Sequence, residues 1–141
     1  MTEQMLNEIL SDAMMLPAEN EIIEFKEAKN SYSFEKLGKY FSALSNEANL
    51  KGRSCAWIIF GVENTKHRIV GSNYRNQRKD LDSLKKEIGD KTTQHISFVE
   101  IYEVFNREGR AIMFQIPAAP QGILLISTGF IMVVSMKVSW R

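Results

Sequence analysis

The run Ser54-Cys55-Ala56-Trp57-Ile58-Ile59-Phe60-Gly61-Val62 constrains this chain more than any other segment. A strand with one face in water alternates apolar and polar residues, whereas this run is apolar at successive positions and offers water neither face. It therefore reads as a central strand covered on both sides, and the segments around it must supply the two covering layers. A chain of 141 residues, 44% hydrophobic and 25% charged, can build one such layered domain around a single core.

The flanking segments alternate in type. Leu6, Ile9 and Leu10 share one face of a first helix, which must end before Pro17 because the residue preceding a proline is pushed out of helical geometry. Glu21 to Phe25 reads as a strand. Ser33 caps a second helix with an apolar stripe of Phe34, Leu37, Phe41 and Leu44 and with Lys36 and Lys39 on its outer side; the polar residues Asn46 to Asn49 predict fraying there. After the central strand, Arg68-Ile69-Val70 reads as a short partner strand closed by Gly71. Asn76 to Ile88 carries Leu81, Leu84 and Ile88 at helical spacing, and Ile96 to Phe105 with Arg110 to Ile116 forms a hairpin across Asn106-Arg107-Glu108-Gly109. Strands separated by helices and followed by a hairpin predict an α/β (α+β) domain with a mixed sheet and flanking helices.

Charge is distributed unevenly. Residues 1–27 hold seven acids and one Lys, whereas residues 51–79 hold seven Lys or Arg against Glu63 alone. Such an asymmetry points to a polyanionic partner, or to two solvated faces of opposite sign. A lone Cys55 at the start of the apolar run reads as a small buried residue and fits a reducing cytoplasm. Two separated His, no CxxC and no HExxH argue against zinc, and there is no GxxxxGK[ST] loop for nucleotide phosphates. No basic region followed by a continuous apolar stretch opens the chain, so it shows no secretory signal, and no run reaches the about 20 apolar residues of a membrane span.

Four pieces in order carry a resemblance: Glu24-Phe25-Lys26, the helix with Leu37-Gly38-Lys39-Tyr40-Phe41-Ser42-Ala43-Leu44-Ser45-Asn46-Glu47-Ala48-Asn49, Trp57 to Val62 running into Glu63-Asn64, and Ile69-Val70-Gly71. Together they resemble the Schlafen-type Alba-like domain over roughly residues 17–117. Two departures are visible: Asn49-Leu50-Lys51-Gly52-Arg53 stands where relatives carry a glycine-rich turn, and Glu63-Asn64 stands where they carry Asp-Asp. The resemblance implies DNA or RNA as partner and a DNA-binding module of a bacterial transcriptional regulator, whose longer chains continue into an ATPase-like region. Animal Schlafen proteins, similar in the core, are endoribonucleases with a three-carboxylate metal site. Carried over residue by residue, that site falls on Glu19, Glu24 and Glu63, with Asn64 competing for the third position.

Phosphodiester hydrolysis by Mg²⁺ or Mn²⁺ needs such carboxylates to converge on the ion. Glu19 and Glu24 are five apart, on opposite faces of an ideal strand and about 16 Å from each other, so a shared metal requires a turn between them. The alternative is that these acids pair with Lys26 and neighbouring Arg. Binding alone asks less, since cations give salt-dependent affinity without an exact constellation. Its candidates are Lys26, Lys51, Arg53, Arg68, Arg75, Arg78 and Lys79, with Tyr74 placed to stack on a base or to pack.

These readings divide the chain into an N-terminal helix at 1–16, the Alba-like domain at 17–121 and an apolar tail at 122–141. Gly122 to Met136 carries no charge and no amphipathic period. One permitted codon set for Ser127 to Ser139, read one base earlier, encodes Phe-Asn-Gly-Phe-Tyr-Tyr-Gly-Arg-Val-Asn-Glu-Ser-Leu, the kind of segment with which the family continues. The tail is accordingly expected to be out of frame, in an N-terminal piece of a longer protein; as a native segment it would pack as a strand or join a second copy in a homodimer. Sequencing the coding DNA checks this: a downstream reading frame that continues the family pattern is expected, and an intact frame without one removes the idea.

Overall fold

A computed structural model describes residues 2–15, 22–92 and 96–119, together with the backbone of 124–125 and 132–133. Its elements run α1 (Glu3–Met15), β1 (Ile23–Lys26), α2 (Phe34–Leu50), β2 (Cys55–Phe60), α3 (Arg78–Gly89), β3 (Glu100–Asn106) and β4 (Gly109–Pro117), followed by a two-residue pair, β5 (Leu124–Leu125) and β6 (Met132–Val133). The main sheet has the order β1-β2-β4-β3. β1 and β2 are parallel, in register from Ile23 opposite Trp57 to Lys26 opposite Phe60, and α2 is the crossover such a pair requires. β2–β4 and β3–β4 are antiparallel, which makes the sheet mixed, as the α+β reading expects.

Coverage of β2 follows its apolar run. Ala56, Ile58 and Phe60 face a layer formed by α2 and α3, with Leu37, Phe41, Leu44, Leu81, Leu84, Ile88 and Phe114 in one buried cluster. Trp57 and Ile59 face the other way, where Leu6, Leu10 and Ala13 of α1 close over Phe25, Val104, Ala111 and Met113. Phe60 anchors the larger cluster through rings of Tyr32, Tyr74 and Phe114 whose centroids lie 4.9, 5.1 and 4.8 Å away. Burying each such side chain stabilises the fold by about 1.5–3 kcal/mol.

Several boundaries differ from the sequence expectation. Ser33 does cap α2, its Oγ accepting from Lys36 N–H at 3.3 Å, but the expected fraying at Asn46 to Asn49 does not occur and the helix continues to Leu50. Burial overrides propensity there: Ser45, Asn46, Glu47 and Ala48 are all buried, and Ser45 Oγ donates to the Pro117 carbonyl at 2.6 Å. Ile69 makes a single bridge with Val62 rather than a partner strand. The hairpin begins at Glu100, not Ile96, and Asn106 Oδ1 accepts from Glu108 and Gly109 N–H across its turn at 2.9 and 3.2 Å. Cys55, expected to be buried, is half-buried. Most of the tail lies outside the described residues.

Three glycines fix where the loops meet. Gly61 (φ 87°), which ends the apolar run, accepts from Val70 and Gly71 N–H at 2.7 and 3.0 Å. A Cβ on Gly61 would stand 2.6 Å from the Arg110 carbonyl oxygen, and one on Gly109 (φ 138°) would stand 2.6 Å from Gly71 Cα. Backbone passes backbone here with no room for a methyl group. Gly61→Ala and Gly109→Ala should each cost roughly 2–4 kcal/mol, whereas Gly52→Ala, equally left-handed but facing open space, should cost only about 1 kcal/mol. Urea unfolding of the three variants checks the difference; equal losses would show that the crossing is not close-packed.

Candidate nucleic-acid interface

The two described carboxylates of the proposed triad each have a cation beside them. Glu24 and Lys26, two apart on β1, share a face, and their charged groups approach to 3.5 Å, half-buried. Lys26 Nζ also lies 4.6 Å from the Tyr40 ring centroid. Its pKa is raised: burial lowers it, but the Tyr40 hydrogen bond, with the fields of Tyr40, Glu24 and Tyr32, outweighs burial. Glu63 lies after β2 and contacts Arg68 at 3.6 Å, while its N–H donates to the Arg68 carbonyl at 2.8 Å. Glu19 lies outside the described residues. Among the described residues no three of His, Cys, Asp and Glu form a group able to hold a metal ion.

The basic stretch, continuous in sequence, is divided by the fold. Lys51 caps the C-terminus of α2 and Arg53 precedes β2, whereas Lys66 and Arg68 lie in the loop that follows it. A six-residue strand of about 3.3 Å per residue separates the two groups by roughly 20 Å. Arg53, Lys66 and Lys79 are exposed without an ion pair among the described residues, and Arg68 is 66% exposed.

Arg75 and Arg78 are engaged within the protein. Arg75 makes a two-pronged contact with Glu87 at 2.5 and 3.1 Å and donates to the Asp80 carbonyl at 2.9 Å. The Glu87 hydrogen bond holds its pKa above the ordinary arginine value, against the lowering effect of burial. Arg78 reaches Asp82, Glu100 and Glu103 at 3.0, 3.4 and 3.5 Å. Tyr74 is 5% exposed and packs edge-on against Phe60, so it cannot stack on a base, and burial raises its pKa despite the opposing influence of Arg75.

Two residues that sequence reasoning missed organise these loops. Arg110, its side chain 9% exposed, donates through Nε to Glu103 at 2.8 Å and through its Nη atoms to the carbonyls of Ser72, Tyr74 and Arg75 at 3.2, 2.7 and 3.0 Å. Ser72, also buried, donates to the Ala28 carbonyl at 2.5 Å and accepts from Tyr74 N–H at 3.1 Å. The loops after β1 and β2 are thereby tied to the β3–β4 hairpin. An Arg opening a hairpin strand reads as a surface residue; only the carbonyls that converge on it from a distant loop reveal otherwise.

A family model, Schlafen, AlbA_2, matches residues 19–133. No curated protein matches the chain. Among solved structures it is similar to the crystal structure of the DIP2311 protein from Corynebacterium diphtheriae, with a TM-score of 0.53 and 17% identity. That alignment covers 85% of this chain and 22% of the other, and at such identity the likeness is one of fold.

Glu100 supplies a pH test of the ion-pair network. Burial would raise its pKa, but hydrogen bonds from Lys85 and the Ile101 N–H, with the fields of Lys85 and Arg78, hold it below the usual 4.5. A carboxyl lowered on folding adds stability above its unfolded value and loses it as pH falls through the folded one. Glu100→Gln should therefore lower the melting temperature near neutral pH and converge with the parent in acid below that range. Thermal unfolding across pH reads this directly, and parallel curves would contradict it.

Proposed function

The chain belongs to the Schlafen AlbA_2 family, and from that membership we propose that it is a nucleic-acid-binding module, the DNA-binding part of a bacterial transcriptional regulator. The family match over residues 19–133 carries this reading. The exposed cations support it: Arg53 and Lys51 before β2, Lys66 and Arg68 after it, and Lys79 on α3 are available to solvent. Phosphate contacts need positive charge at the surface and little else, so scattered Lys and Arg suffice for affinity while base contacts confer sequence preference.

The roughly 20 Å along β2 matches about six base pairs of duplex rise, so the cation groups at its two ends would meet phosphates about half a helical turn apart. Arg75 and Arg78 have a different role in this proposal. Held by Glu87, Asp82, Glu100 and Glu103, they shape the loop and helix that carry Lys79 rather than contact the ligand. In a longer protein the module would bring an attached region, ATPase-like by the sequence resemblance, to nucleic acid.

The test is retention of labelled single-stranded DNA, duplex DNA and transfer RNA across a salt series, with and without Mn²⁺. Retention should fall steeply with salt, and Arg53→Ala with Arg68→Ala should reduce the log–log salt slope by about two. Arg75→Ala should lower the melting temperature and leave that slope unchanged. Failure to retain any of the three at low salt overturns the proposal. Mn²⁺-dependent cleavage abolished by Glu24→Gln would replace it with a nuclease.

A further inference from the structure

The loop after β2 is fixed at its base by the bridge between Val62 and Ile69 and by Glu63 N–H, which donates to the Arg68 carbonyl at 2.8 Å. Farther out, the His67 ring turns inward. It lies against Phe25 of β1, with ring centroids 4.5 Å apart, and its Nδ1 is 3.0 Å from the Met14 carbonyl oxygen of α1. A carbonyl only accepts, so Nδ1 carries the proton and donates. Met14 belongs to the last turn of α1, where carbonyls lack partners inside the helix and no basic residue offsets their negative end. A side chain from a loop far along the sequence thus caps this carbonyl.

His67 is a poor choice for stability alone. Its φ of 51° is left-handed, which is costly for most residues with a Cβ, and its Nε2 is buried with no hydrogen-bond partner among the described residues. An apolar ring would bury the same surface and orphan no nitrogen, but it would lack the Nδ1 donor. His67 also stands between Lys66 and Arg68, whose side chains are exposed while its own is turned toward α1. The bond to Met14 therefore governs how the loop presents its two cations. α1 lies outside the residues 19–133 that carry the family match. Its side-chain hydrogen bonds, Asn7 to the Glu3 carbonyl and Gln4 to Glu8, stay within the helix, and it packs on the sheet through Leu6, Leu10 and Ala13.

We propose that α1 is a regulatory clamp on the cation loop, coupled to it through His67. Seated, α1 holds Lys66 and Arg68 in the arrangement that meets phosphate; unseated, it frees the loop and weakens binding. The effect on binding rests on the nucleic-acid reading above, whereas the coupling of α1 to the loop does not. A loop ordered in advance gives up less conformational freedom when it meets its ligand, so displacing α1 reduces affinity without touching a cation. Linkage is reciprocal, and bound nucleic acid holds α1 in place.

Two variants of the full chain separate the bond from the packing. His67→Phe keeps a ring against Phe25 and removes the donor, whereas His67→Asn removes the ring, keeps a donor and suits a left-handed backbone. Trypsin cuts after Lys and Arg, so it reads the loop at Lys66 and Arg68 without any ligand, and α1 offers it no site. Cleavage there should be about fivefold faster in His67→Phe and in Leu10→Ala, and close to the parent rate in His67→Asn. Duplex DNA at low salt should bind His67→Phe about threefold more weakly than the parent, with no further loss from His67→Phe in a chain already carrying Lys66→Ala and Arg68→Ala. Faster cleavage in His67→Asn than in His67→Phe overturns the coupling, because packing would then hold the loop. Unchanged cleavage in Leu10→Ala overturns it too, because backbone preference at position 67 would then account for the pair. Undiminished affinity in His67→Phe, or a loss that persists without the two cations, overturns the clamp's action on binding. A parent chain that binds no DNA defeats the nucleic-acid reading instead, and the trypsin rates still decide whether α1 clamps the loop.

Discussion

The Arg110 guanidinium, almost without contact with solvent, directs its Nε to Glu103 and its two Nη atoms to three carbonyls of the 72–75 loop. A buried positive charge is tolerable only when neutralised and hydrogen-bonded, and here both conditions are met by segments far apart in the chain. Beneath it the backbones at Gly61, Gly71 and Gly109 touch. Everything at this end of the sheet depends on that junction: the approach of the loop after β2 to the hairpin, the burial of Tyr74 against Phe60, and the start of α3.

Seen from this junction, the residues that carry the family pattern divide into two kinds. Gly61, Val62, Ile69 and Gly71 serve the backbone crossing and the apolar layer under α1. Lys26, Glu24 and Glu63 are the charged members, and each is paired with a neighbour on its own or the adjoining segment. The motif that identifies the family is therefore mostly a description of how its strands and loops meet.

Much of the fold was legible because it follows from pattern. The unbroken apolar run of β2, the Leu81, Leu84 and Ile88 spacing of α3 and the Asn106 to Gly109 turn each reflect local rules that tertiary contacts reinforce. The C-terminal half of α2 was not legible, because Asn46 and Glu47 are poor interior residues whose helical state depends on burial supplied from elsewhere. The candidate interface was legible only as a charge imbalance. How the cations are arranged is decided by partners distant in sequence: Glu87 takes Arg75, Glu100 and Glu103 take Arg78, and β2 itself carries Lys51 and Arg53 away from Lys66 and Arg68.

The antiparallel partner of β2 comes late. Cys55 pairs with Pro117 and Phe60 with Ile112, so the most apolar strand of the sheet leaves the ribosome well before the strand that covers its second edge. At the usual translation speed of about 5–20 residues per second, that interval lasts several seconds. During it Trp57 to Phe60 has the earlier α1, β1 and α2 for company but not the strand that pairs with its second edge, and the growing chain is most exposed to misassociation and to capture by chaperones. The order of segments along the gene thus gives this small domain a period of vulnerability that its finished form conceals.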